Sequence, residues 1–141
     1  MEDSFRKQIV LDGRKCMLEF IENGGMDEFE ALRDQNICRS DGFLLIFSFE
    51  NISTLDYLES VILTIERLKD KEHAQLPIVI AANAWEVGYF NGDLPRAMDF
   101  AKAFNIPLIT CSARNSVNIP LVFEELVRQM HHFGAYEYTE N

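Results

Sequence analysis

Short apolar runs alternate along this chain with longer segments of helical periodicity, and this alternation restricts the fold strongly. The apolar runs span residues 42–49, 78–82 and 108–111, and such runs are typical of strands buried on both faces of a sheet. Apolar residues elsewhere recur every three or four positions, which predicts amphipathic helices, the last with Asn118 as its N-cap. The helical stripes are Ile52, Leu55, Leu58, Ile62, Ile65 and Leu68, then Ala97, Phe100, Ala101 and Phe104, and finally Val122, Phe123, Leu126, Val127 and Met130. This order predicts an α/β fold with a mainly parallel sheet and helices on both faces.

A β-hairpin is expected before the first helix. Residues 5–11 and 15–21 flank Asp12-Gly13, and this dipeptide is a strong signal for a two-residue turn. No internal repeat or linker interrupts the chain. We therefore expect one domain over residues 1–135, followed by a short acidic tail at 136–141.

Composition argues against several classes of function. The 141 residues include 23 acidic and 13 basic side chains, for a net charge of −10, and such a surface repels nucleic acid and anionic membranes. The apolar run at 43–47 has only strand length, and the C-terminal residues hold no cysteine for prenylation. We therefore expect no nucleic-acid partner, no direct membrane anchor and a cytoplasmic location. Cys16, Cys38 and Cys111 lie in or beside apolar segments and are expected to be reduced, buried thiols.

One polar segment follows the second hairpin strand and carries a family resemblance. Residues 21–35 are Ile-Glu-Asn-Gly-Gly-Met-Asp-Glu-Phe-Glu-Ala-Leu-Arg-Asp-Gln. This segment resembles switch II of the Ras-like small GTPases, which have Asp-Thr-Ala-Gly-Gln-Glu at this place. The preceding residues 2–8, with Asp12-Gly13, are similar to the end of the Ras effector loop and its hairpin.

Two later segments extend the resemblance to residues 2–133. Residues 83–86, Asn-Ala-Trp-Glu, stand in the place of the guanine-reading Asn-Lys-x-Asp. Residues 109–114, Ile-Thr-Cys-Ser-Ala-Arg, follow the pattern of the Ser-Ala-Lys loop that completes the base pocket. The resemblance implies a Ras-like G-domain that lacks the first strand, the phosphate loop and the first helix, because no Gly-x-x-x-x-Gly-Lys-Ser/Thr occurs in the 141 residues.

The absence of the first strand is expected to leave backbone amides and carbonyls unpaired on the two strands beside it. In the Ras-like fold that strand lies between the strands that correspond to residues 15–21 and 42–49. Three outcomes are open: these two strands close up, a partner supplies a strand, or the sequence is an incomplete product.

The resemblance also assigns the catalytic and metal-binding positions, and two of them are altered. Glu22 stands where the family has an aspartate that reaches magnesium, and the extra methylene disturbs octahedral geometry. Gly25 matches the glycine whose amide contacts the terminal phosphate. Met26 replaces the glutamine that orients the attacking water, and a thioether cannot donate a hydrogen bond. We therefore expect no intact catalytic residue and no intact metal ligand. Efficient GTP hydrolysis is not expected either.

The base pocket implied by the resemblance is only partly kept. Asn83 is retained and would hold the pocket loops together, whereas Ala84 removes the lysine that packs over the purine. Glu86 would still accept hydrogen bonds from guanine, but its side chain is longer than that of the family aspartate. The nucleotide-binding positions carried over from the family are Gly25, Asn83, Glu86, Ser112, Ala113 and Arg114. Without the phosphate loop, several charge-assisted contacts worth roughly 1.5–3 kcal/mol each are lost. Tight binding of GTP, GDP or magnesium is therefore not expected.

Two functions follow from the resemblance. The first is a signal-transduction protein of the pseudo-GTPase kind, which binds a protein effector or regulator through an edge strand and the switch II helix. Its expected contact residues are Glu2, Asp3, Arg6, Phe29, Leu32 and Arg33. The alternative is a slow GTPase that hydrolyses GTP to GDP and whose phosphate loop lies upstream of these residues.

Overall fold

The hairpin expected around Asp12-Gly13 is confirmed. The computed structural model describes residues 3–22, 30–49, 51, 53–84 and 94–134. Strand β1 (Asp3–Leu11) pairs antiparallel with β2 (Arg14–Glu22) over their whole length. Asp12 and Gly13 have φ values of 52° and 78°, and a type I′ turn needs this left-handed conformation at both central residues.

A three-stranded parallel sheet forms the centre of the described fold. Its strands are β3 (Phe43–Ser48), β4 (Ile78–Asn83) and β5 (Leu108–Cys111), in the order β3-β4-β5. All three were expected from their apolar runs, and the ends differ from the predicted ones by one residue at most. The tail predicted at 136–141 lies outside the described residues.

The described residues form four α-helices around the strands, and the three predicted from apolar stripes are confirmed. They are α1 (Glu30–Arg39), α2 (Ser53–Lys69), α3 (Leu94–Phe104) and α4 (Ile119–His132), with a short 3-10 helix at His73–Gln75. None of the helices in the described part of the chain is long and apolar enough to cross a membrane.

The helices cover both faces of the parallel sheet, as expected. Successive residues of β4 point to opposite sides, and Ile80 is fully buried in a cluster that includes Ile62 of α2 and Ala97 of α3. Val79 is equally buried on the other side, in a cluster that includes Leu126 of α4. The core therefore has two layers, one under α2 and α3 and the other under α4.

The hairpin packs on α4 and is not joined to the parallel sheet. Leu11, Cys16 and Leu18 form a separate buried cluster with Val127 of α4. Among the described residues, β1 and β2 form their own two-stranded sheet. The single mainly parallel sheet of the sequence prediction is therefore divided in two, with α4 packed against both parts. Strands β2 and β3, which were expected to lie on either side of the missing first strand, are not hydrogen-bonded to each other.

Polar contacts add to this attachment at the rim of the hairpin. The Lys7 ammonium lies 4.8 Å from the centroid of the Phe123 ring, within the range of a cation–π interaction. The Arg128 guanidinium lies 3.8 Å from the Asp12 carboxylate. The side chains of Arg128 and Asp12 are 49% and 68% exposed, and ion pairs exposed to this extent contribute little to stability. The apolar cluster is therefore the main source of the attachment.

Two sequence expectations about burial are wrong. Strand β3 was expected to be covered on both faces, yet Ile46 is 58% exposed. Its neighbours Leu45 and Phe47 point to the other face and are buried there. Cys38 was expected to be a buried thiol but is exposed on α1, whereas Cys16 and Cys111 are buried as predicted. An apolar run does not reveal which neighbouring element covers each of its faces.

Candidate functional site at the carboxyl ends of the parallel strands

The carboxyl ends of the three parallel strands lie side by side. Ser48 of β3 is in register with Asn83 of β4, and Asn83 is in register with Cys111 of β5. In open α/β sheets, ligands bind outside this end of the strands. The loops that follow β4 and β5 contain most of the described residues to which the family resemblance assigns nucleotide contacts.

Asn83 joins these two loops directly. Its side-chain oxygen Oδ1 accepts the backbone N–H of Ala113 at 2.9 Å. The backbone continues the link, since the Ala84 N–H donates to the Cys111 carbonyl at 3.0 Å. The structure therefore brings two of the predicted site residues together, and the Ala113 amide is satisfied from within the protein.

The side chain and backbone of Ser112 form hydrogen bonds within their own loop. Its side chain is almost wholly buried, with a relative exposure of 1%, and its hydroxyl oxygen accepts the Asn115 N–H at 3.2 Å. Its backbone exchanges two hydrogen bonds with Val117, at 3.1 and 3.0 Å. The Ser112 amide is therefore also committed to an internal partner, while the next residues, Ala113 and Arg114, are exposed.

Asn118 has a structural role at this loop that sequence reasoning missed. It does occupy the N-cap position of α4, but it has a left-handed backbone with a φ of 61° and makes no side-chain capping bond. Instead its Nδ2 donates to the Thr110 carbonyl at 2.8 Å. Asparagine adopts the left-handed conformation more readily than most residues, but nothing in the sequence indicates the bond back to β5.

Ala84 lies in the core and not at the surface of the site. Its relative exposure is 1%, and it belongs to the large apolar cluster that also contains Phe47 and Phe49. The family lysine at this place needs room for a long stem and contact with water for its ammonium group. The described surroundings of Ala84 provide neither.

Cys111 ends β5 beside this loop and has the character of a buried structural thiol. It is 6% exposed, and burial raises the pKa of its thiol above the ordinary value of 9.0. A nucleophilic cysteine needs the opposite shift, toward the thiolate. In the part of the chain that the structure describes, no three acidic, histidine or cysteine side chains are grouped as a metal site.

The remaining predicted residues are distributed as follows. Gly25, Met26, Glu86, Glu2 and Phe29 lie outside the described residues. Glu22 ends β2, Asp3 begins β1, and Leu32 and Arg33 lie in α1, with only their backbone described. Arg6 of β1 has a side chain that is 75% exposed and lies 4.0 Å from Glu19 on β2. Their assigned roles stay predictions.

Comparison with known protein families agrees with this architecture. The family model described as the Ras family matches residues 1–132, which include every described helix and strand from β1 to α4. The match spans most of the 141 residues and both loops of the candidate site. The chain belongs to the Ras family and is a homologue of its small GTPases.

Proposed function

We propose that this Ras-family protein acts in signal transduction as a pseudo-GTPase, through contacts with a protein effector or regulator. The observation that carries the proposal is the hydrogen bond from the Ala113 N–H to Asn83 Oδ1 at 2.9 Å. A loop that reads guanine must offer a free backbone amide to the base. Here that amide is used to join two loops of the protein.

The surroundings of this bond support the same conclusion. The Ser112 amide donates to the Val117 carbonyl, so the neighbouring donor of the loop is also occupied. Ala84 is buried in the apolar core and offers nothing to cover a purine ring. Breaking an internal bond in order to bind guanine gives no net gain of hydrogen bonds, so the affinity for the base is low.

The altered switch positions point in the same direction. Glu22 and Met26 replace the aspartate and glutamine of the family pattern. Met26 lacks a polar group to orient water, and Glu22 places its carboxylate one methylene further out, which octahedral magnesium tolerates poorly. The proposal therefore combines weak nucleotide binding with very slow hydrolysis. The protein is proposed to work in the cytoplasm.

The proposed partner surface is the outer edge of β1 together with α1. In the described fold β1 pairs with β2 on one side only, and a free edge can accept a strand from a partner. The exposed Arg6 on this strand and the proposed contacts Phe29 and Leu32 would give the surface its charge and its apolar anchors. Glu2, Asp3 and Arg33 complete the proposed set.

Nucleotide titration tests the pseudo-GTPase proposal. The purified chain is titrated with fluorescently labelled GDP and GTP, with magnesium and with excess EDTA. We expect no saturable binding at micromolar protein in either condition. Magnesium-dependent binding at micromolar or tighter affinity would overturn the proposal, because the altered residues would then still form a working site.

A partner pull-down tests the proposed surface separately. Arg6→Ala combined with Phe29→Ala is expected to abolish recovery of a partner that the wild-type chain retains. Lys102→Ala is the control, since Lys102 is exposed on α3. Equal recovery by the double variant and the control would exclude this surface.

The alternative is a slow GTPase, and the retained Gly25 favours it. This function requires a phosphate loop in a segment outside these 141 residues. An in-frame Gly-x-x-x-x-Gly-Lys-Ser/Thr upstream in the transcript would support it. The extended protein would then hydrolyse GTP slowly, and Met26→Gln would raise the rate of turnover without tightening nucleotide binding.

A further inference from the structure

The face of the hairpin that lies away from α4 carries two exposed apolar side chains. Val10 of β1 is 58% exposed and Met17 of β2 is 57% exposed. The residue after each of them in its strand is buried in the cluster with Val127, so both side chains point to the outer face. In the strand register Met17 lies opposite Gln8, two residues from Val10 on β1. Side chains in this diagonal relation are close enough to form one contact surface.

The half of the hairpin near the turn is basic. Lys15 is exposed and lies directly opposite Val10, on the same outer face. Residues 6–17 include four basic side chains and one acidic side chain, although the whole chain has a net charge of −10. The acidic one, Asp12, lies 3.8 Å from the Arg128 guanidinium, which compensates its charge. The two exposed apolar side chains therefore lie within a basic region of an acidic protein.

This combination fits an acidic partner better than a lipid surface. Complementary charge steers association and disfavours wrong partners. A short protein segment interacts mainly with charges within a Debye length, about 8 Å at physiological ionic strength, so it meets the local basic region. An anionic membrane is extended and meets the repulsion of the whole chain, whose net charge is −10. The charge distribution therefore favours a protein segment.

We propose that Val10, Lys15 and Met17 form an outer patch that binds an acidic segment of a partner protein. Carboxylates of the segment lie beside Lys15, and its apolar side chains cover Val10 and Met17. The outer patch lies on the face of the hairpin, whereas the partner surface proposed above uses the backbone edge of β1 and α1. It contains none of the residues assigned to that surface. The two proposals are therefore open to separate tests.

The small size of the outer patch determines the expected strength of binding. Three side chains bury far less than the roughly 1,200–2,000 Å² of a standard stable interface. We therefore expect one segment to bind with a Kd of about 0.1 to 1 mM. Salt screens the attraction between the segment and the basic region, so the affinity falls at high ionic strength.

Fluorescence anisotropy with a labelled peptide and the full chain tests the proposal. The probe is a short synthetic peptide of glutamate and serine with two central leucines, and the matched peptide has glutamine in place of glutamate. We expect saturable binding of the acidic probe, weakened at least about threefold between about 0.05 and 0.5 M salt. The glutamine peptide should bind at least about tenfold more weakly. Absence of saturable binding, or equal affinity for the two peptides, overturns the proposal.

Two matched pairs of variants locate the site on the chain. Lys15→Glu and Lys102→Glu make the same charge change at exposed positions of β2 and α3. Met17→Ala and Met98→Ala truncate methionines that are 57% and 55% exposed. We expect Lys15→Glu to weaken probe binding at least about fivefold and Met17→Ala about threefold. The two α3 variants should stay within about twofold of the wild type, and equal losses on β2 and α3 would contradict the outer patch.

Vesicles that contain phosphatidylserine test the lipid alternative. We expect the full chain to remain unbound in a flotation assay at physiological salt. Flotation that is abolished by Lys15→Glu would assign the outer patch to an anionic lipid surface and overturn the proposal. Met17 is not part of the edge surface or of the nucleotide site. Loss of probe binding in Met17→Ala therefore supports the outer patch whatever the pull-down and the nucleotide titration show.

Discussion

Asn83 Oδ1 accepts the Ala113 N–H at 2.9 Å and thereby links the loop after β4 to the loop after β5. The two loops emerge from neighbouring strands, since Asn83 and Cys111 are in register. In a nucleotide-binding relative, loops at this place must leave donors free for the ligand. In this chain the link satisfies the Ala113 donor from within the protein.

Replacing Asn83 should therefore lower the free energy of unfolding, and we expect no change in nucleotide binding. In Asn83→Ala the Ala113 N–H loses its partner, and we expect the free energy of unfolding to fall by about 1 kcal/mol. Urea denaturation measures the loss, and hydrogen exchange at Ala113 should become faster. Gln35→Ala is the control, because Gln35 is exposed on α1 and its truncation should change stability little. An unchanged exchange rate at Ala113 would show that the bond contributes nothing.

Restoring the family lysine at position 84 should destabilise the protein. Ala84 is 1% exposed, so Ala84→Lys buries an unpaired charge, and we expect a loss of at least about 2 kcal/mol. Ala103→Lys is the matched control at an exposed position of α3, and its stability should be close to that of the wild type. Denaturation and GDP titration check both variants. A stable Ala84→Lys variant that binds GDP would contradict the proposed loss of guanine recognition.

Local signals in the sequence predicted the elements of this fold well. Asp12-Gly13 predicted its turn because the conformation depends on those two residues themselves. The apolar run at 78–82 predicted β4 because that strand is buried between the two layers of the core, and a similar run predicted β5 at the edge of the sheet. The family resemblance added the expectation that Asn83 joins two loops, which residue patterns alone do not contain.

Features that depend on distant neighbours were predicted less well. The apolar pattern of β3 did not show that Ile46 is exposed, because exposure depends on which elements pack beside that strand. Asn118 was assigned a helix cap from its position, while its side chain bonds to Thr110, eight residues earlier. The division into two sheets depends in the same way on packing against α4, and this long-range contact has no local signature.

The attachment of the hairpin to α4 should depend on Val127. This side chain is fully buried with Leu11, Cys16 and Leu18, and Val127→Ala leaves a cavity among them. We expect a loss of about 2 kcal/mol and faster hydrogen exchange in β1 and β2 than in β4. Val10→Ala is the matched control, since Val10 is 58% exposed on the hairpin, and it should stay within about 0.5 kcal/mol of the wild type. Equal effects of the two variants would exclude an apolar attachment through Val127.

The buried thiol of Cys111 should make stability fall at alkaline pH. Burial raises the pKa of this thiol above its ordinary value of 9.0, so above that pH the unfolded chain releases a proton that the folded chain still holds. The unfolded state then binds fewer protons, and the free energy of unfolding decreases as pH rises. Below about pH 9 the contribution of Cys111 to stability is complete. Urea denaturation at about pH 8 and pH 10 measures the decrease.

The Cys111→Ala variant isolates this contribution from the other groups that titrate at high pH. Lysine and tyrosine side chains change charge equally in both proteins, so the difference in their alkaline decrease comes from Cys111. We expect the wild type to lose more stability than Cys111→Ala between the two pH values. Cys38→Ala serves as the exposed counterpart and should decrease as the wild type does. If Cys111→Ala and the wild type decrease in parallel, the thiol ionises in the folded protein as readily as in the unfolded one.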